Sequence, residues 1–170
     1  FGQLVGMPIV WGAILLIVIM TVINFIGIKE SSWFNTVSTS IEFLGLLVII
    51  VLGITKFGSV NYFEMPAGLT GVFSSAALVF FAFLGFEGIV KLREETKDPE
   101  KTIPRALVYS ILITSVIYVL VAISAVSIIG WEALAASDAP LATAAAAVLG
   151  SPAFIVLAII ALFSTANTVL

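Results

Sequence analysis

Glu87 stands between Gly85 and Gly88 inside the apolar run "FFAFLGFEGIV", Phe80 to Val90. A carboxylate at that depth in a hydrophobic segment costs several kcal/mol (about 2–4) unless it is paired, protonated or wet. Two glycines three residues apart weaken the helix around it and free backbone carbonyls. Irregular backbone of that kind survives in hydrocarbon only where it is buried in protein or lines a wet cavity. Two further sets carry oxygen chemistry. Asn35, Ser38, Thr39 and Glu42 recur at i, i+3, i+4 and i+7, so they share one helix face. Ala161, Ser164, Thr165 and Thr168 repeat the same spacing. These are hard oxygen donors, suited to a hard monovalent cation or, at the carboxylates, to a proton. The chain holds no histidine and no cysteine. That removes thiolate chemistry, haem ligation and the usual zinc sets, so we expect no catalytic set, no bound metal and no cofactor. An enzyme would need paired acids in one segment, and Glu42 and Glu87 fall in different ones.

The elements that must position these residues are membrane helices. Of 170 residues, 61% are hydrophobic and 10% charged, with mean hydropathy +1.26. A soluble domain carries roughly 25% charge, so lipid is the solvent here and no nucleic-acid partner is expected. Crossing ~30 Å of hydrocarbon takes about 20 apolar residues. Five runs supply them, approximately 9–28, 36–55, 69–91, 103–129 and 152–170, in a single membrane domain over 1–170. No strict alternation suggests a β-barrel. Pro104 is well placed for a helix start, and Ala142–Leu149 for a short interfacial helix. Lys29, Lys91, Arg93, Lys97, Lys101 and Arg105 fall at the first and third connections, which share a side. The excess of basic residues makes that side cytoplasmic. Residues 29–35 and 91–103 are therefore expected inside, and 1–8, 56–68 and 130–151 outside. The sequence starts without methionine and stops within an apolar run, so we expect further helices of the same protein on both sides.

The third run and its loop also resemble a family. Phe81-Ala82-Phe83-Leu84-Gly85-Phe86-Glu87 followed by "EETKDPEKTIPRAL" is similar to the sixth helix and following loop of the amino acid–polyamine–organocation permeases. "INFIGIKES" resembles the end of that family's fourth helix and "LFSTANTVL" its eighth, so the likeness covers helices four to eight. The resemblance implies an all-α integral membrane protein with the leucine-transporter-like inverted-repeat bundle, the third of these five helices broken. It implies secondary active transport of amino acids or related amines by alternating access, across the plasma membrane. An amino-acid sensor on the same fold is the alternative. Carbonyls of Phe81, Ala82 and Leu84, at the break made by Gly85, would take the substrate's ammonium group, and Phe81 would cover it. Glu87 matches an acid that couples protons or holds the break. Some family members carry a lysine where this chain has Glu42, so the charge is reversed. Ala161, Ser164 and Thr165 resemble the eighth-helix sodium ligands of sodium-coupled relatives: one carbonyl and two hydroxyls. The coupling ion implied is H⁺ or Na⁺.

Plainer readings stand beside these. The glycines also suit a packing seam with Glu87 bonded to a neighbouring helix, Glu42 can reach the membrane edge, and Ser/Thr pairs are ordinary interhelical hydrogen-bonding groups. The two readings of Glu87 separate in the full-length protein. A coupling acid predicts that Glu87→Gln still binds substrate but loses much of its pH-dependent transport. An unchanged pH profile leaves Glu87 a packing role alone.

Overall fold

The computed structural model describes residues 9–85 and 88–169; the role expected of Glu87 lies outside the described residues. Among the described residues every regular element is helical. They are α1 (Ile9–Ile26), α2 (Ile28–Ile54), α3 (Gly68–Phe80), α4 (Gly88–Lys91), α5 (Pro99–Ala135), α6 (Pro140–Leu149) and α7 (Ser151–Val169), with 3₁₀ turns at Phe81–Phe83 and Leu92–Glu95. Four stretches are long and apolar enough to cross a membrane: Ser32–Ile54, Gly68–Val90, Pro99–Ala135 and Ser151–Thr168. The apolar helix Val10–Phe25 is slightly shorter.

Three connections differ from the expectation. Residues 29–35 read as a polar loop but belong to α2, which only Gly27 separates from α1. The stretch "KESSWFN" contains neither proline nor glycine, and polarity alone does not stop a helix. α5 begins at Pro99, five residues before Pro104, which therefore lies inside the helix. Asp98 makes that start possible by adopting φ 50, a left-handed conformation that short polar side chains tolerate. At the other end the long helix breaks at Gly130, whose φ of 76 and ψ of 160 are non-helical, close to the end expected at residue 129, and a short helical piece runs on to Ala135. The connection at 130–151 is nonetheless largely helical, with α6 starting two residues before the interfacial helix expected there.

The chain forms two compact units, Phe1–Val60 with Val121–Leu170, and Asn61–Leu120. In the first, α7 packs against α6, α2 and α1. Its core is built from Ile49, Ala125, Ala142, Ala145 and Leu157, flanked by Leu52, Val121, Leu141, Phe154 and Ile160. Small residues dominate because membrane helices gain their contact from close backbone approach rather than from expelling water. The second unit holds α3, its break and the first half of α5. No residue of α3 is buried, and Phe73 is 72% exposed.

Two glycines of α2 show how tight the first unit is. A Cβ on Gly53 would clash with Cβ of Ser124 and come within 2.5 Å of its Cα, so α2 and α5 touch backbone to backbone there. A Cβ on Gly45 would meet Cγ2 of Ile160 at 2.9 Å, a side-chain methyl rather than backbone, which yields by a small shift of the β-branched side chain. Gly53→Ala should therefore destabilise the full-length protein by about 1–3 kcal/mol, the usual cost of overpacking. Gly45→Ala should cost well under half of that. Thermal unfolding in detergent measures both, and equal losses would contradict the backbone contact.

Candidate functional site

Two places carry the chemistry, one in each unit. The first is the interruption after α3. The α-helix ends at Phe80 and tightens into the turn Phe81–Phe83. Leu84 then becomes extended, with φ −65 and ψ 146, and Gly85 turns back with φ 106. An L side chain is strained at that φ, so the glycine is what allows the reversal. Helix resumes at Gly88.

The freed backbone groups are partly re-bonded. The Leu84 amide donates to the Phe81 carbonyl at 3.2 Å, and the Gly88 amide to the Gly85 carbonyl at 2.9 Å. The Ala82 carbonyl accepts the hydroxyl of Tyr118, from α5, at 2.8 Å. The Phe83 ring meets the Tyr118 ring edge-on, with centroids 5.3 Å apart and planes at 68°. Phe81 and Leu84 are exposed. Phe81, Ala82, Leu84 and Gly85 are thus adjacent at a real interruption. Tyr118 had no signal in the sequence, since its partners lie 36 residues away and no periodicity links them.

The second place is in the first unit, where a cavity of about 680 Å³ opens between α1, α2, α6 and α7. Gly12 and Leu16 line one wall, Glu42 and Gly45 another, and Ser164 and Thr165 a third. Ala161 also lines it, so the two helix faces inferred from spacing do converge. Their hydrogen bonding is more local than a ready-made ion cage. Thr165 donates to the Ala161 carbonyl at 3.0 Å, and Thr168 to the Ser164 carbonyl at 3.0 Å, each within α7.

The residue missed is Asn167. It lies off the Ala161–Thr168 stripe, yet its amide nitrogen donates to Thr39 Oγ1 across the helices at 3.2 Å. Thr39 in turn donates to Asn35 Oδ1 at 3.4 Å. The Glu42 carboxyl interacts with both Asn167 and Ser164. Two buried acceptor oxygens, Glu42 Oε1 and Asn167 Oδ1, have no donor, and the buried Ser38 hydroxyl has no partner. Burying such an oxygen unpaired costs roughly 1–3 kcal/mol, so this cluster holds hydrogen-bonding capacity that its own side chains leave unused.

Apolar helices of spanning length, one interrupted at a glycine and others enclosing a polar cluster, define an α-helical, multi-pass integral membrane protein. The chain belongs to the amino acid permease family, whose pattern matches residues 3–170. A branched-chain amino acid permease of Bacillus subtilis is 35% identical over 129 residues, covering 75% of this chain and 28% of that protein. Cationic amino acid transporter 1 of Arabidopsis thaliana is 41% identical over 107 residues, 62% of this chain and 18% of that protein. A methylthioribose transporter of Bacillus subtilis is 34% identical over 123 residues, 72% of this chain and 27% of that protein. The chain thus spans under a third of these relatives' length, and their names describe transporters rather than enzymes.

If Asn167 bridges Thr39 and the Glu42 carboxyl, the three residues are energetically coupled. Asn167→Ala in the full-length protein should cost about 1–3 kcal/mol. The Thr39→Ala/Asn167→Ala double variant should cost clearly less than the two single losses added together. Strict additivity in thermal unfolding would show that the bridge contributes nothing.

Proposed function

We propose that the full-length protein is a secondary active transporter that moves amino acids or related amines by alternating access, with the α3 interruption as half of its substrate site. The observation that carries this reading is the interruption itself: a membrane-length helix that gives up its hydrogen bonds at Phe81–Gly85. In hydrocarbon that loss is tolerated only where the freed groups gain something else to bind. Carbonyls at a half-helix end are partial negative charges and suit a cationic ammonium group. The relatives' names agree on small polar cargo, and the methylthioribose transporter widens the class beyond amino acids. The remaining helices would supply the partner half, including groups for a substrate carboxylate, within an inverted-repeat bundle. We place the protein in the plasma membrane with Arg93, Lys97, Lys101 and Arg105 on the cytoplasmic side, following the distribution of basic residues.

For the coupling ion we favour the cluster of Glu42, Ser164 and Asn167. Two acceptor oxygens without donors there support either a cation or a proton as the missing partner. Ala161, Ser164 and Thr165 add oxygens on the same cavity wall. At an effective dielectric of ~20, a carboxylate ~4 Å from a cation contributes about 4 kcal/mol before desolvation, enough to shape affinity. Glu87 remains the second candidate for proton coupling.

Uptake of radiolabelled amino acids by the full-length protein in sealed vesicles tests both parts. Sodium coupling predicts loss of uptake when choline replaces sodium at fixed pH, and at least a tenfold weaker sodium response in Ser164→Ala. Uptake indifferent to sodium removes the sodium reading. In that case, loss of pH dependence in Glu42→Gln assigns the proton to Glu42. No uptake of any amino acid or amine under any gradient would end the transporter reading.

A further inference from the structure

We infer that Tyr118 is a positioning residue that stands in for the substrate's ammonium group when the site is empty. The inference rests on the reading above, in which carbonyls at the α3 interruption receive that group. Ala82 is one of those carbonyls, and its oxygen already holds a donor, the Tyr118 hydroxyl at 2.8 Å. The Phe81 carbonyl is likewise engaged, by the Leu84 amide of its own strand of chain at 3.2 Å. The two differ in kind. The Leu84 bond is part of the local turn and moves with it. The Tyr118 bond comes from another helix, 36 residues along, through a side chain that can rotate away.

The geometry suits a stand-in. A phenol donates one proton to a neutral carbonyl, and an ammonium group donates more strongly to the same lone pairs because it is charged. Tyr118 is half-buried and its ring rests edge-on against Phe83, so its direction is held without a second hydrogen bond. When the site is empty, the hydroxyl spares the Ala82 carbonyl from facing hydrocarbon unpaired, a state that costs several kcal/mol (about 2–4) in a membrane. When substrate arrives, the ammonium group takes the Ala82 oxygen and the hydroxyl is released. Tyr118 therefore competes with the ligand in the empty carrier and supports the broken backbone during the return step.

Opposite effects on binding and on turnover follow. A neutral hydrogen bond that must be given up weakens ligand binding by its net worth, about two- to tenfold in Kd. Tyr118→Phe keeps the ring and removes only the hydroxyl. In the full-length protein it should tighten the Kd of a transported amino acid two- to tenfold, lower KM for uptake in parallel, and reduce the maximal rate of net uptake severalfold. Exchange of internal for external substrate, which never uses the empty carrier, should keep its maximal rate. Phe83→Leu, which removes the ring contact and leaves the hydroxyl, should not tighten binding. The deaminated analogue of the same substrate is measured alongside, as a competitor without the ammonium group. If wild-type protein binds the analogue as tightly as the amino acid, the ammonium does not use these carbonyls and both readings fall. If discrimination is intact but Tyr118→Phe leaves Kd unchanged or weakens it, this inference alone is overturned. Equal losses of net uptake and exchange, with unchanged Kd, likewise reduce Tyr118 to a packing residue.

Discussion

A peptide carbonyl inside a membrane must find a donor, and no water is there to supply one. That constraint explains the long helices and makes the interruption after α3 meaningful. A helix satisfies its interior groups from within its own segment, as most of α2 and α7 do, whereas the Ser127 carbonyl of α5, just before the Gly130 kink, takes the Ser59 hydroxyl at 2.9 Å. α3 cannot satisfy its own groups past Phe80. Its chain turns at Gly85, and the Ala82 oxygen is met by a hydroxyl from a different helix. The interruption is thus a point at which a backbone carbonyl depends on a side chain of another helix.

The same economy governs the polar side chains. Several hydroxyls in the described helices bond backwards to a carbonyl of their own turn, as Thr21 does to Ile17 and Ser115 to Ile111. Such bonds hide a polar group cheaply and say nothing about function. The cluster around Glu42 is different because Glu42 Oε1, Asn167 Oδ1 and the Ser38 hydroxyl are buried there without a partner. On the transporter proposal, the Ala82 carbonyl would suit a substrate's ammonium group and the Glu42 carboxylate a small cation or a proton.

How much of this was legible in the sequence depends on the range of the interaction. The helices were, because hydropathy is summed over some 20 residues and survives local noise. The interruption was, because Gly85 and Gly88 flank a carboxylate within one turn. The convergence of Glu42 with Ser164 and Thr165 on one cavity followed from two faces of equal spacing. Boundaries fared worse. Lys29–Asn35 looked like a loop because it is polar, yet nothing in it breaks a helix, and Pro104 looked like a helix start although Asp98 and Pro99 provide one earlier. Asn167 and Tyr118 were invisible for a sharper reason. Each acts through a contact more than 30 residues away in the chain, Asn167 on Thr39 and Tyr118 on Ala82, and neither lies on a periodic stripe.

The crossing of α2 and α5 at Gly53 and Ser124 has a mechanical side. Side chains that interlock resist sliding and rotation alike, because each would have to climb past its neighbour. At Gly53 there is nothing to interlock, only backbone resting against a serine. Dispersion at such short range holds the two helices together strongly, but it changes little as they turn about the point of contact. Close approach without teeth makes a pivot. A pivot of that kind sets where α2 and α5 cross but leaves the angle between them to the neighbouring side chains, Ile49 and Leu52 on one helix and Val121 and Ala125 on the other.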